Sequence, residues 1–158
     1  MKMKHIYIAI ILILIGIAID QVTKIMAFKH LTEGNEYRVI PGIFKMTLVK
    51  NDGAAFGILS NQLWFLIIIT IVAMVFFVYI AKDVDFKENP IFSACYVLIV
   101  AGTLGNFIDR IALKYVRDFL TFDFMSFAVF NFADVCLTIG VIFLAIDIFF
   151  GETGRRWN

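Results

Sequence analysis

Charge is scarce in this chain. Only 17% of its residues are Asp, Glu, Lys or Arg, against 61% hydrophobic. Soluble domains carry about a quarter charged residues. Histidine is nearly absent. His5 and His30 are the only two, and neither has a partner at metal-ligand spacing, which argues against a protein-built zinc site. Cysteine is as sparse. Cys95 and Cys136 both fall in apolar stretches, so they read as small buried hydrophobes rather than a secreted disulfide framework. Basic patches with interleaved aromatics are missing and the net charge is +1, so no nucleic-acid partner is implied. The 158 residues allow one domain.

What is present instead is long apolar runs. Four stand out, over residues 5–27, 63–81, 91–108 and 132–150. Each is about 27–30 Å or longer as a helix, enough to cross a hydrocarbon core. Helices pair their own backbone there, as a membrane requires. Lys2 and Lys4 before the apolar residues 6–19 resemble a secretory signal. No small-x-small cleavage site follows, so the segment reads as a retained first helix.

Four spans put both ends of the chain on one side. That side carries Lys2, Lys4, Lys82, Lys87, Arg155 and Arg156. The other carries Lys24, Lys29, Arg38, Lys45, Lys50, Arg110, Lys114 and Arg117. The larger count is spread over long connections; the smaller one is packed into short segments beside span ends. Density and the two lysines ahead of the first span place both termini in the cytoplasm. Residues 28–62 and 109–131 then face outward. Within them, residues 36–50 alternate in short runs around Pro41 and Gly42, which predicts a small β-hairpin or curved sheet.

The polar residues of the spans gather at that outer end: Asp20, Lys24, Asn51, Asn106, Asp109, Arg110, Asp118, Asn131 and Asp134. Charge at a membrane boundary is costly, so a cluster of it argues for chemistry or recognition. Asp118 and Asp134 are the leading pair, because two carboxylates sharing a proton can activate water against an amide. Each residue also has a plainer reading. Asn131 and Asp134 have the spacing of a helix N-terminal capping box. Asp118 can be a loop carboxylate paired with Arg117 or Lys114. Arg110 either braces a carboxylate or anchors to a lipid phosphate. Asp20 and Lys24, four apart, can simply neutralise each other. Asn51 and Gly53 open a stretch of small residues that can be a tight turn. Asp147, near the other end of the fourth span, reads as an interface residue.

Taken together, DQVTK at residues 20–24, NDGAAFG at 51–57, GTLGNFIDR at 102–110, VRDF at 116–119 and FNFADVCLTIG at 130–140 resemble the lipoprotein signal peptidase (signal peptidase II) family, in order and spacing. The resemblance covers essentially the whole chain. It implies an all-α polytopic membrane protein, four transmembrane helices with a small extracytoplasmic β-cradle, over residues 1–158 as a single membrane-embedded peptidase domain. It implies an aspartic endopeptidase of the bacterial cytoplasmic membrane that cleaves diacylglyceryl-modified prolipoproteins before the lipidated cysteine. Asp118 and Asp134 map onto the family's catalytic dyad. Asp20, Lys24, Asn51, Gly53, Asn106, Asp109, Arg110, Asn131 and Ala133 map onto positions that support the site or contact substrate or inhibitor. The resemblance further implies no cofactor or metal, contact with membrane lipids and block by the cyclic peptide globomycin; a monomer is expected, since one chain can house the whole site. Two departures stand out: Arg117 occupies a position that is usually hydrophobic, and the segment between the two aspartates is short. The rival readings are a non-catalytic membrane adaptor that binds signal peptides and a small transporter, which would need polarity across the spans that is not there.

Overall fold

The computed structural model describes residues 2–54 and 58–150. The readings placed on Ala55, Phe56, Gly57, Arg155 and Arg156 fall outside the described residues. Helix α1 (Lys2–His30) is followed by strands β1 (Tyr37–Ile40) and β2 (Phe44–Asn51), then α2 (Leu63–Ile80). After a short 3-10 turn come α3 (Pro90–Leu113), β3 (Val116–Phe122) and α4 (Phe132–Phe150). All four helices are long and apolar enough to cross a membrane.

Helix α3 is the centre of the bundle. It buries Phe92, Cys95, Val97, Val100 and Ala101, while Leu14, Ile68, Val72, Val78, Ile142 and Phe143 on the other helices are more than half exposed. In water that surface would be untenable; in lipid it is the solvated face. Helix association in a bilayer depends on close backbone approach, and glycine supplies it here. A Cβ on Gly105 would lie 2.6 Å from Asp20 Oδ2, and one on Gly140 2.7 Å from Ile99 Cγ1. Gly105→Ala is therefore expected to cost roughly 1–3 kcal/mol, since a methyl there displaces a buried carboxylate rather than a flexible chain end. Unfolding in detergent against the parent protein checks it.

The expected hairpin over residues 36–50 forms. Its turn is closed by Gly42 at φ +77°, a conformation that favours glycine. Strand β3 adds to β2, giving an antiparallel sheet in the order β1-β2-β3. Phe122 packs against Phe44, Phe127 and Phe130, and Leu120 bridges to Phe130, so the segment before α4 is tied to the sheet.

Two features depart from expectation. Helix α3 runs past Ile108 to Leu113 and stops at Lys114 in the left-handed conformation, φ 72°. Asp109 and Arg110 therefore lie within the helix. Their charge does not end it, because both find partners against other elements. The connection after α3 also contains β3, a strand that apolar alternation did not signal because Arg117, Asp118 and Thr121 interrupt the pattern.

Candidate active site

Helix α4 begins with a reciprocal capping box. Asn131 Oδ1 accepts from the Asp134 backbone N–H at 3.0 Å, and Asp134 Oδ2 accepts from the Asn131 backbone N–H at 3.0 Å. The capping reading of this pair is therefore correct as local structure. It leaves the Asn131 side-chain NH2 free to act elsewhere. Nδ2 donates to Asp118 Oδ1 at 2.6 Å and to Asn106 Oδ1 at 3.1 Å. Asn131 thus joins the two carboxylates, with its backbone on Asp134 and its side chain on Asp118.

Sheet register delivers Asp118. Val49 lies opposite Asp118 and Asn51 opposite Val116, so Asn51 and Asp118 are diagonal neighbours on one face. Asn51 Nδ2 donates to Asp118 Oδ2 at 2.9 Å. Its Oδ1 accepts from the Gly53 N–H at 2.9 Å, which makes the tight turn. Arg110 Nη2 donates to Gly53 O at 3.1 Å. Arg110 also feels the charges of Asp134, Asp118 and Asp109. The expected pairing of Asp118 with Arg117 or Lys114 does not occur. Arg117 turns to Asp109, and Lys114 Nζ donates to Ile111 O.

Helix α1 supplies the base of the site. Lys24 is fully buried and Asp20 is 1% exposed. Lys24 Nζ lies 2.8 Å from Asp20 Oδ2 and 3.6 Å from Asp109 Oδ2, and donates to Asn106 Oδ1 at 2.9 Å. That bond orients the Asn106 amide, so its Nδ2 faces Asp134 Oδ1 at 2.8 Å. Asp20 does more than neutralise Lys24. Its Oδ1 accepts from the Ala133 backbone N–H at 3.0 Å, placing a carboxylate on an otherwise unpaired donor in the first turn of α4.

All eleven residues singled out from the sequence lie in this one network. Two more belong to it. Gln21 donates to Asp20, Gly105 O and Asp109, and Arg117 donates to Asp109 and Gln21. Gln21 sits inside the DQVTK motif, and Arg117 was visible as a charge beside an aspartate. Asp147 does not join the network. It is 6% exposed on α4, toward the end of that helix away from Asp134, where it packs inside the bundle.

The charges nearly balance. Asp20, Asp109, Asp118 and Asp134 face Lys24, Arg110 and Arg117, so a single proton shared by Asp118 and Asp134 makes the cluster neutral. Asp118 holds a proton readily. Burial, helped by the negative charge of Asp134, pushes its carboxyl from 3.8 up to about 7, against the hydrogen bonds from Asn51 and Asn131.

The model of the peptidase A8 family, signal peptidase (SPase) II, matches residues 12–150. The chain belongs to the signal peptidase II family. It is 43% identical over 157 residues to the lipoprotein signal peptidase of Streptococcus agalactiae serotype Ia, spanning 99% of this chain and 100% of that one. It is 38% identical over 142 residues to the lipoprotein signal peptidase of Lactiplantibacillus plantarum, spanning 90% and 94%. A bacterial membrane enzyme solved by the in meso method at 2.3 Å superposes with a TM-score of 0.85 at 36% identity, over 93% of this chain and 90% of that one. A second, solved at 1.9 Å, gives 0.79 at 37% identity, over 89% and 91%. As a signal peptidase II the chain is a multi-pass bacterial inner-membrane protein and a membrane aspartic endopeptidase.

Proposed function

We propose that Asp118 and Asp134 are the catalytic dyad of this signal peptidase II, cleaving a prolipoprotein just before its diacylglyceryl-modified cysteine. The observation that carries this reading is the single residue, Asn131, bonded to both carboxylates. Asp134, in the first turn of α4 where the helix dipole favours an anion, takes a proton from water as it attacks the carbonyl. Asp118, protonated, gives its proton to the developing oxyanion; Asp134 then passes the proton it took from water to the departing amine, and Asp118 recovers its own from the hydroxyl as the carbonyl re-forms. Asn51, Asn106, Asn131 and Lys24 hold the pair, Arg110 and Gly53 shape the turn beside it, and Asp20, Asp109 and Ala133 anchor that frame to α1, α3 and α4. The substrate's signal helix lies beside the spans with its acyl chains in the bilayer. Every brace comes from one chain, so a monomer suffices. Globomycin competes for the same carboxylates. The test is purified protein in lipid, given one prolipoprotein with and without its diacylglyceryl group. Cleavage of the modified form alone supports the reading, and cleavage of neither sinks it.

The ends of α1 and α3, the sheet and the start of α4 lie at one end of the bundle, with Lys4 and Lys82 at the other. The density of positive charge beside the span ends supports a reading with both termini in the cytoplasm and the dyad near the outer face. A periplasmic-type reporter inserted after Lys45 is expected to be active, and a cytoplasmic-type reporter there silent.

The pH dependence follows from Asp118. Its carboxyl is protonated below about 7 and loses its proton above. Since the protonated form is the donor, kcat is expected to fall as pH rises through about 7, with the slope of one proton. A rate that instead climbs through that range would assign Asp118 as the base.

A further inference from the structure

We propose that Arg117 is a positioning residue for the reaction, a role that rests on the dyad reading above. Successive side chains on a strand point to opposite faces. On β3, Asp118 faces Asn51 and Asn131, and Arg117 faces the ends of α1 and α3. There Arg117 Nε and its own backbone N–H donate to Asp109 Oδ2, at 3.1 and 2.9 Å, and Nη2 donates to Asp109 Oδ1 at 2.7 Å. Nη2 also donates to Gln21 Oε1 at 2.8 Å. Gln21 returns a bond to Asp109. The three side-chain bonds need a planar guanidinium and a hydrophobic side chain cannot make them, whereas the backbone bond to Asp109 is kept by any residue but proline.

The clamp refers both carboxylates to one frame. Asp109 is fully buried and is held by Arg117 from one side and Lys24 from the other. Lys24 sets Asn106, and Asn106 sets Asp134. Arg117 is joined directly to Asp118 by a peptide bond. A shift of Arg117 therefore moves Asp118 relative to Asp134 without touching substrate. Its loss also leaves Asp109 drawing on Lys24, away from Asn106.

The test measures kcat and KM for a diacylglyceryl-modified prolipoprotein with Arg117→Met, Arg117→Lys and Asp118→Asn, each normalised to the folded fraction from circular dichroism. Arg117→Met is expected to lower kcat by about 10–100-fold and leave KM within about twofold, because misplacement by an ångström costs rate rather than binding. Arg117→Lys keeps the charge but not the fork, and is expected to recover only part of that rate. Parental kcat per folded molecule in Arg117→Met overturns the proposal, as does a rise in KM alone. If Arg117→Met does not fold, Arg117→Lys decides: lowered kcat at constant KM supports the role, and parental kcat overturns it. Asp118→Asn separates the two readings. If it still cleaves, the dyad assignment has failed. If it is dead while the folded Arg117 variants keep parental kcat, only the positioning role has.

Discussion

Asp118→Asn is expected to leave the protein folded in the membrane and to lower cleavage of a diacylglyceryl-modified prolipoprotein by about 10³-fold or more, the scale of losing a general acid together with its oxyanion contact. The fold survives because of the sign of the proton linkage. A carboxyl raised from 3.8 to about 7 binds its proton more tightly folded than unfolded. The folded state is therefore progressively disfavoured as pH rises from about 4 through about 7. Asparagine carries no charge, so above pH 7 it removes that cost, which offsets a mismatched bond with Asn51 or Asn131. Asp134→Asn is expected to be as inactive but less stable, since it also weakens the capping box that starts α4, at about 1 kcal/mol for a cap. Cleavage assays in lipid and unfolding in detergent, run on both variants, separate these effects. Full cleavage by a folded Asp118→Asn would remove the residue from the mechanism.

How legible this was depends on what each signal measures. Apolar run length located four helices, because a bilayer demands about 20 apolar residues and little else in a small chain supplies them. The same signal cut α3 short at Ile108. It treats Asp109 and Arg110 as a boundary, whereas Lys24, Arg117 and Gly53 bring them inside. Turn chemistry at Pro41-Gly42 announced β1 and β2. Strand β3 stayed hidden, because it carries a catalytic candidate and its clamp where alternation expects apolar residues. The site residues were readable as a set, from a resemblance that spans the chain and from polar groups crowding one end of the spans. Their partners were not. Spacing four apart suggested that Asp20 serves Lys24, yet half of its work is to cap α4, more than a hundred positions away. Arg117 read as a departure and is a tie across three elements.

Lys24→Met is expected to be strongly destabilising. The ammonium is fully buried among Asp20, Asp109 and Asn106. Removing one member of a buried ion cluster strands the others, at about 3–5 kcal/mol. Asp20 would keep Gln21 and the Ala133 N–H, and Asp109 would keep Arg117, so the loss falls mainly on the α1 contact with α3 and α4. Activity is expected to fall further than the folded fraction does. Without Lys24 the Asn106 amide loses the bond that aims its Nδ2 at Asp134, and the cluster carries an extra negative charge that must be met by another proton. Adding Asp20→Asn to Lys24→Met removes one stranded carboxylate and is expected to regain part of the stability, because the two sites are in contact and their effects do not add. It is not expected to regain activity, since Asn106 remains unaimed. Reversible unfolding and single-turnover cleavage on the two single variants and the double decide the matter. Recovery of both stability and rate in the double variant would show that Lys24 only neutralises Asp20 and takes no part in orienting the dyad.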